Sequence, residues 1–223
     1  MNIVILGLPG AGKGTHAQRL KNELKMHHLS SGEILKRKIK QNNKLGRRAK
    51  IFVKKGDLVP DNIVIEVIKE KIKEHDGNNL LFDGFPRTLY QAKKLEEIIN
   101  NIGNEITFCL YIKVRDGNIY KRLSGRRICQ NDGTVYHIEF NSPKTKGICD
   151  KCGGKLIQRK DDKMEIVKKR VEESKERIMD IVKFYDEKGI LETIDGSDKT
   201  PDEVHVDVQK VVRQYIDKCK RVP

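Results

Sequence analysis

The fold of this chain is indicated most strongly by the stretch Gly7-Leu8-Pro9-Gly10-Ala11-Gly12-Lys13-Gly14-Thr15. This stretch follows the short apolar run Asn2–Leu6 and leads into Gly12–Leu24, whose apolar residues have helical spacing. Glycines let backbone N–H groups converge on phosphate oxygens, and Lys13 adds a positive charge beside them. The pattern therefore predicts a phosphate-binding loop between a buried strand and a helix.

One position of the loop departs from the common pattern. Gly14 stands where Ser or Thr is usual, and the hydroxyl comes one residue later, at Thr15. The usual hydroxyl binds magnesium. We therefore expect Mg²⁺ to be held mainly by nucleotide phosphates and water rather than by the loop.

A second motif, Asp83-Gly84-Phe85-Pro86-Arg87, ends another apolar run. Its arginine carries a planar fork of donors that matches the oxygens of a phosphate. Taken together with the glycine loop, this motif predicts two phosphorylated ligands held face to face.

Apolar runs alternate with segments of helical periodicity along most of the chain. The predicted strands are Asn2–Leu6, Leu80–Phe82, Ile106–Val114 and Ile190–Ile194. The predicted helices are Gly12–Leu24, Asn62–Glu74, Leu89–Asn101, Asp116–Leu123, Lys163–Lys188 and Pro201–Lys218. This alternation predicts an α/β fold with a parallel sheet and right-handed crossovers.

Two stretches fall outside the alternation and are predicted to be insertions. Ser30–Val59 has the pattern of about two helices and no clear strand. Arg126–Asp162 is rich in Gly, Asn, Asp and Cys, with β-like residues at Thr134–Phe140, and has little core of its own.

Composition limits the other classes of function. The 223 residues carry a net charge of +14, but the lysines are spread along helices, so a solvated surface is favoured over a nucleic-acid site. No apolar run approaches the length of a membrane span, and the N-terminus does not resemble a signal peptide. We expect a cytoplasmic protein with no membrane partner and no disulfides. No apolar surface stripe is left over, which predicts a monomer.

Three of the five cysteines form a pattern typical of a zinc site. Cys129-x2-Asp132 is followed after sixteen residues by Cys149-x2-Cys152, which is a zinc-ribbon spacing with one Cys replaced by Asp. Four protein ligands would make the Zn²⁺ structural and would explain how a polar insertion folds. Two alternatives stay open: three free thiols beside a chance Asp, or His137 in place of Asp132 as the fourth ligand.

The two phosphate motifs together closely resemble the adenylate kinase family of nucleoside monophosphate kinases. Further matches extend over almost the whole chain: Ser30-Ser31-Gly32-Glu33, Gly56–Asp61, Gln91, Gly125-Arg126-Arg127, Tyr136-His137, Arg159–Asp162 and Lys169-Arg170. The resemblance implies a P-loop kinase with a five-stranded parallel sheet flanked by helices, a helical AMP-binding insertion and a small zinc-containing β lid. It implies the reaction MgATP + AMP ⇌ 2 ADP and a role in adenine nucleotide homeostasis.

The resemblance also implies a division of the chain. The core would comprise residues 1–29, 60–125 and 163–223. Residues 30–59 would form the AMP-binding insertion. Residues 126–162 would form the lid segment, in its long form.

Individual roles follow from the same resemblance. Residues around the transferred phosphoryl group would be Lys13, Asp83, Arg87, Arg126, Arg159 and Arg170. ATP would contact Gly10, Ala11, Gly12, Lys13, Gly14, Thr15, Arg122, Arg126, Val135, Tyr136, His137 and Asp198. AMP would contact Ser31, Lys36, Asp57, Leu58, Val59, Gly84, Phe85, Pro86, Arg87, Gln91, Arg159 and Arg170.

Some of these roles carry specific expectations. Asp83 would order the water shell of magnesium, and Gln91 would hydrogen-bond the adenine of AMP. Lys36 stands where the family usually has Arg, and we prefer it over Arg37 as the phosphate ligand because Arg37 faces about 100° away on a helix. Ser31 keeps the hydroxyl of the usual Thr.

The adenine of ATP would lie between two side chains, Arg122 and His137. The alternative for His137 is an exposed loop histidine with no role in binding.

Three other functions fit part of the pattern. A kinase for UMP, CMP or GMP would share the loop and arginines, but Gln91, Ser31 and the long lid favour AMP. A nucleic-acid-binding zinc ribbon would use the positive charge, but the cysteine segment lacks exposed aromatics for base stacking. A P-loop ATPase without an acceptor leaves Arg87 and Gln91 unexplained.

Overall fold

The fold is described from a computed structural model that covers residues 1–55 and 59–221. In chain order the strands are β1 (Ile3–Leu6), β2 (His27–Ser30), β3 (Leu80–Asp83), β4 (Phe108–Lys113), β5 (Arg126–Cys129), β6 (Val135–His137), β7 (Leu156–Ile157) and β8 (Leu191–Asp195). The helices are α1 (Lys13–Leu24), α2 (Ser31–Lys40), α3 (Lys44–Lys55), α4 (Asp61–Lys73), α5 (Leu89–Asn100), α6 (Asp116–Ser124), α7 (Met164–Glu187) and α8 (Pro201–Arg221), and a 3-10 turn spans Lys160–Asp162.

Five parallel strands form the central sheet, in the order β2-β3-β1-β4-β8. Helices flank this sheet, and the predicted α/β class is confirmed. In the register of β1 and β3, Ile5 pairs with Asp83. Because the carboxyl ends of parallel strands meet at one edge, the glycine loop after β1 and the Asp83–Arg87 motif after β3 lie side by side.

One strand was missed by the sequence pattern. The segment His27–Ser30 pairs with Leu80–Asp83 along its full length and forms the edge of the sheet. Only Leu29 among its residues is buried, so no continuous apolar run marks it. The periodicity therefore predicted four strands, whereas the count of five implied by the family resemblance is confirmed.

The predicted helical insertion contains α2 and α3, as its periodicity indicated. The two helices approach closely at Gly46, where a Cβ atom would collide with the carbonyl oxygen of Lys38. Glycine at this position lets the helix backbones touch.

The lid segment contains a separate antiparallel sheet in the order β6-β5-β7. Its buried cluster is small and consists of Cys129, Tyr136, Cys149 and Leu156. Two of those four residues are predicted metal ligands, so apolar burial alone gives this segment little stability. Among the helices that the structure describes, none is long and apolar enough to cross a membrane.

Candidate active site

The glycine loop is shaped for phosphate by its backbone. Gly10 and Gly12 have φ angles of +83° and +97°, in the left-handed region that glycine adopts without strain. A Cβ at Gly10 would also lie 2.8 Å from the Leu123 side chain. The Lys13 ammonium donates to the carbonyl oxygens of Gly7 and Leu8 at 2.7 and 3.0 Å, which holds it over the loop.

Positive charge is concentrated around that ammonium. Burial lowers the pKa of Lys13 most, Asp83 opposes it, and the nearby charges of Arg87, Arg170 and Arg126 add to the lowering, so that the pKa lies at about 8. The two phosphate motifs and the lid arginine thus act on one another electrostatically. A polyanion between them would relieve the repulsion.

Asp83 lies beside the first turn of α1. Its Oδ2 atom is 3.7 Å from the place that a Cβ of Gly14 would take, and it accepts a hydrogen bond from His28 Nε2 at 3.3 Å. Burial favours the neutral acid, but the bond from His28 and the charge of Lys13 outweigh it and lower the pKa of Asp83. An ionised carboxylate next to a phosphate loop suits a hydrated magnesium ion, which prefers oxygen ligands.

A separate cavity of about 200 Å³ is lined in part by Arg87. Its lining includes six of the predicted AMP-binding positions, namely Ser31, Lys36, Val59, Gly84, Arg87 and Gln91. Apolar side chains complete the wall, namely Leu35, Ile39, Val53 and Val64. The mixture of an apolar wall and a few polar groups is typical of a binding site for a small molecule.

The remaining six predicted AMP-binding positions fall into three groups. Phe85 and Pro86 are buried. Arg159 and Arg170 contact Asp161 and do not line the cavity. Asp57 and Leu58 lie outside the described residues. Lys36 and Arg37 were the two candidates for the phosphate ligand. Lys36 lines the cavity, and its Nζ contacts Glu33 at 2.8 Å. Arg37 is not part of the cavity lining.

Gln91 is held by a closed set of hydrogen bonds. Its Nε2 donates to Asp61 Oδ1 at 2.7 Å, and its Oε1 accepts from the backbone N–H of Arg87, also at 2.7 Å. The second oxygen of Asp61 accepts from the Thr88 hydroxyl at 2.7 Å. Thr88 is in turn the N-cap of α5 and accepts from the backbone N–H of Gln91. Asp61 lies in the matching motif Gly56–Asp61, but its role was not predicted from the sequence.

Acidic residues hold two arginines of the lid segment and one arginine of α7. Arg126 makes a two-pronged contact with Asp162, at 2.8 and 2.5 Å, and Asp162 is fully buried. Arg159 forms a similar fork with Asp161, at 2.8 and 2.7 Å. Arg170 also contacts Asp161, at 2.9 Å. The carboxylates keep these guanidinium groups ordered, a function that the sequence motif did not reveal.

The predicted ATP adenine pair is only partly available for stacking. Arg122 donates from Nη2 to the carbonyl oxygens of Gly196 and Lys199 at 2.7 and 3.2 Å. His137 is buried, with 9% of its surface exposed, so the alternative of an exposed loop histidine is wrong. Its ring stacks on Phe140 with centroids 4.3 Å apart.

Backbone groups fix the tautomer of His137. Its Nδ1 accepts from the N–H groups of Glu139 and Phe140 at 3.0 and 3.2 Å. Its Nε2 therefore carries the proton and donates to the Lys121 carbonyl at 3.2 Å. The histidine thus ties the lid segment to the end of α6.

The other predicted ATP positions differ in exposure. Val135 is exposed, whereas Tyr136 is buried in the lid with its hydroxyl toward the Cys149 thiol at 3.6 Å. Asp198 has a left-handed φ of +53° and accepts from Asn118 at 3.0 Å. The lid also exposes one aromatic ring, that of Phe140, contrary to the expectation of none, although His137 covers one face of it.

Four potential metal ligands converge in the lid segment. Ligand atoms of Cys129, Asp132, Cys149 and Cys152 all lie within 4.8 Å of one another. His137 is not part of this group among the residues described, so the alternative with His137 as fourth ligand is not supported. The backbone N–H of Thr134 donates to Asp132 at 2.8 Å and lowers the pKa of its carboxyl. The carboxylate is therefore ionised, as a metal ligand must be.

The backbone around the cluster has the tight turns of a metal knuckle. Gly153 N–H donates to the Cys149 carbonyl at 2.9 Å, and Gly133 N–H donates to the Cys129 carbonyl at 3.1 Å. A Cβ at Gly154 would lie 2.9 Å from the Cys129 sulfur, so only glycine leaves room there. Three thiols and one carboxylate in this arrangement match the donor set of a structural zinc ion.

The chain is similar to known proteins over most of its length. The family model "Adenylate kinase" matches residues 5–190 of the chain. A curated adenylate kinase of Caldicellulosiruptor saccharolyticus is 45% identical over 203 residues, which cover 91% of this chain and 94% of that protein. An adenylate kinase of Methanocella arvoryzae is 43% identical, with 96% and 99% covered, and one of Bacillus pumilus is 42% identical, with 95% and 98% covered.

Proposed function

The chain belongs to the adenylate kinase family, and on that premise we propose that it catalyses the reversible transfer of a phosphoryl group in MgATP + AMP ⇌ 2 ADP. One observation carries the proposal. The phosphate loop with Lys13 and the Arg87 motif share one edge of the sheet, and a separate cavity adjoins Arg87. A single nucleotide would not need both.

The two sides of the reaction fall to different parts of the chain. ATP takes the loop Gly10–Thr15, with its base near Arg122 and His137. The phosphate of AMP takes Arg87 and Lys36, and its base enters the cavity beside Gln91. This assignment is supported by the apolar cavity wall and by the cations between the two places.

The chemistry requires positioning and neutralisation of charge. Phosphoryl transfer in line between two phosphates develops charge on the equatorial oxygens, which arginine and lysine side chains stabilise. The acceptor is already an anion, so no general base is needed. Arg126, Arg159 and Arg170 exchange their contacts with Asp161 and Asp162 for phosphate oxygens when the lid segment closes. Closure also excludes water, which suppresses hydrolysis.

Two metal ions have different parts in this proposal. Asp83 would order the water shell of the Mg²⁺ that accompanies ATP, and the ion would neutralise phosphate charge. Zn²⁺ would be held by Cys129, Asp132, Cys149 and Cys152 and would fold the lid segment. The converging ligands and the close approach at Gly154 support this zinc site.

The division into a core (residues 1–29, 60–125 and 163–223), an AMP-binding insertion (30–59) and a lid segment (126–162) belongs to the same proposal. We place the protein in the cytoplasm as a monomer that acts on ATP, AMP and ADP in adenine nucleotide homeostasis.

The direct test is ADP formation from ATP and AMP, followed with and without a tight zinc chelator. AMP should be preferred over UMP, CMP and GMP, and purified protein should contain about one zinc per chain. Chelation should lower the melting temperature. Equal use of another monophosphate would reassign the acceptor, and salt-sensitive oligonucleotide binding without ADP formation would favour the nucleic-acid function.

A further inference from the structure

We infer that Asp61 is a positioning residue that sets base specificity, because it locks the side-chain amide of Gln91 in the orientation that accepts an adenine and rejects a 6-oxopurine. This inference rests on the proposed function in one respect, the contact between Gln91 and the base of AMP. The lock itself is a property of Asp61, Arg87 and Gln91 in the described structure.

The orientation of the amide follows from its partners. A primary amide presents an oxygen that accepts and a nitrogen that donates. Asp61 offers Gln91 a carboxylate, which can only accept, and Arg87 offers a backbone N–H, which can only donate. The two bonds are both 2.7 Å long. Nε2 therefore belongs toward Asp61 and Oε1 toward Arg87.

A rotated amide would lose both bonds at once. Its oxygen would face the Asp61 carboxylate and its N–H group would face the Arg87 N–H. Gln91 is buried, with 3% of its surface exposed, so water could not restore the lost bonds. The side chain is thus fixed in one of two orientations that differ little in shape.

Asp61 is itself well placed for this task. It is the first residue of α4, and its second oxygen accepts from Thr88 at 2.7 Å, at the start of α5. The carboxylate connects the first turns of α4 and α5, and both helices contribute residues to the cavity lining. Both of its oxygens are engaged, so it cannot turn to serve a different amide orientation.

The locked amide has one N–H and one lone pair left over. Gln91 lines the cavity of about 200 Å³ in which the base is proposed to bind. Adenine offers an acceptor at N1 and a donor at its 6-amino group, which complement that N–H and that lone pair. Hypoxanthine and guanine offer the reverse, a donor at N1 and an acceptor at O6. A Gln91 free to turn would accept both patterns, whereas the locked one accepts only the first.

Three substrates separate these cases in the unmodified protein: AMP, IMP and purine riboside 5′-monophosphate. The last keeps the N1 acceptor and lacks any group at C6. A locked amide predicts kcat/KM in the order AMP, then the unsubstituted purine, then IMP, with about tenfold or more between the last two. IMP equal to or better than the unsubstituted purine would overturn the lock.

The variant Asp61→Asn tests the residue directly. Asparagine has the same shape but can donate as well as accept, so one of the two restraints on Gln91 is removed. The ratio of kcat/KM for AMP over IMP should fall about tenfold, while kcat with AMP changes much less. Asp61→Glu, which keeps the carboxylate, should retain more of the preference.

A control separates specificity from folding. Thr88→Val removes the α5 cap and one bond to Asp61 but leaves the bond between Asp61 and Gln91, so it should lower stability and keep the AMP preference. An unchanged AMP-to-IMP ratio in folded Asp61→Asn would overturn the inference and leave the proposed function intact. Failure of the wild type to make ADP from AMP would instead overturn the proposed function. If Asp61→Asn does not fold, the three-substrate order in the wild type decides.

Discussion

ATP binding should draw protons onto Lys13 near pH 8. Burial and the nearby charges of Arg87, Arg170 and Arg126 together lower the pKa of this ammonium to about 8, against the opposing charge of Asp83. About half of the molecules therefore carry the proton at pH 8. Phosphates against the ammonium favour its charged form and raise its pKa. Binding at pH 8 should thus take up about 0.5 proton per ATP.

The sign of the pH dependence follows from the two states. The pKa of Lys13 is lower before binding than after it, so the affinity for ATP is greatest well below pH 8, where the free protein already carries the proton, and declines as the pH rises through 8. Between pH 8 and pH 9 the affinity for ATP should fall about fivefold, because a growing fraction of Lys13 is a neutral amine that must be protonated before it binds phosphate.

Isothermal titration calorimetry in Tris and in HEPES measures this uptake, since the two buffers release different heats of ionisation. The matched control is Lys13→Arg, whose guanidinium stays charged and should show no uptake from this position. Identical binding enthalpies in both buffers for the wild type, or the same uptake in Lys13→Arg, would contradict the reasoning.

Three further perturbations test other parts of the site. Lys36→Arg should lower the KM for AMP and leave kcat intact, because a guanidinium binds phosphate with two donors. The control is Lys40→Arg, on the exposed surface of the same helix, and an unchanged KM for AMP in Lys36→Arg would refute the assignment of Lys36 to the AMP phosphate. Asp132→Cys should raise the melting temperature of the zinc-loaded protein, since a thiolate suits zinc in a thiolate-rich site; a lower melting temperature would argue against zinc there. Asp162→Asn should lower the free energy of unfolding in denaturant by about 2 kcal/mol, because it leaves the partly buried Arg126 without its counter-charge; a neutral effect would show that the pair contributes little.

The sequence predicted the parts of the molecule that have local patterns. Glycine spacing after Asn2–Leu6 predicted the phosphate loop, and cysteine spacing predicted a cluster that the structure brings together within 4.8 Å. The edge strand His27–Ser30 had no such signal, because an edge strand with one buried residue carries no apolar run. Its hydrogen-bond partner is far away in sequence, and only the pairing with Leu80–Asp83 reveals it.

The roles of two buried or paired carboxylates, Asp61 and Asp162, could not be predicted from the sequence for a similar reason. Asp61 and Asp162 lay within motifs, but their partners Gln91 and Arg126 are 30 and 36 positions away. Charged residues in a lysine-rich chain are usually solvated, so their type alone did not identify them as buried or paired. Three-dimensional contact, and not residue type, gives them their roles.

In the proposed reaction two nucleotides meet through their phosphates, one on the glycine loop and one at Arg87. The test uses ATP that carries a radioactive γ-phosphate and measures which product contains the label. The label should appear in ADP only when AMP is present, with two ADP formed for each AMP consumed and little inorganic phosphate. Release of labelled inorganic phosphate at the same rate without AMP would contradict it.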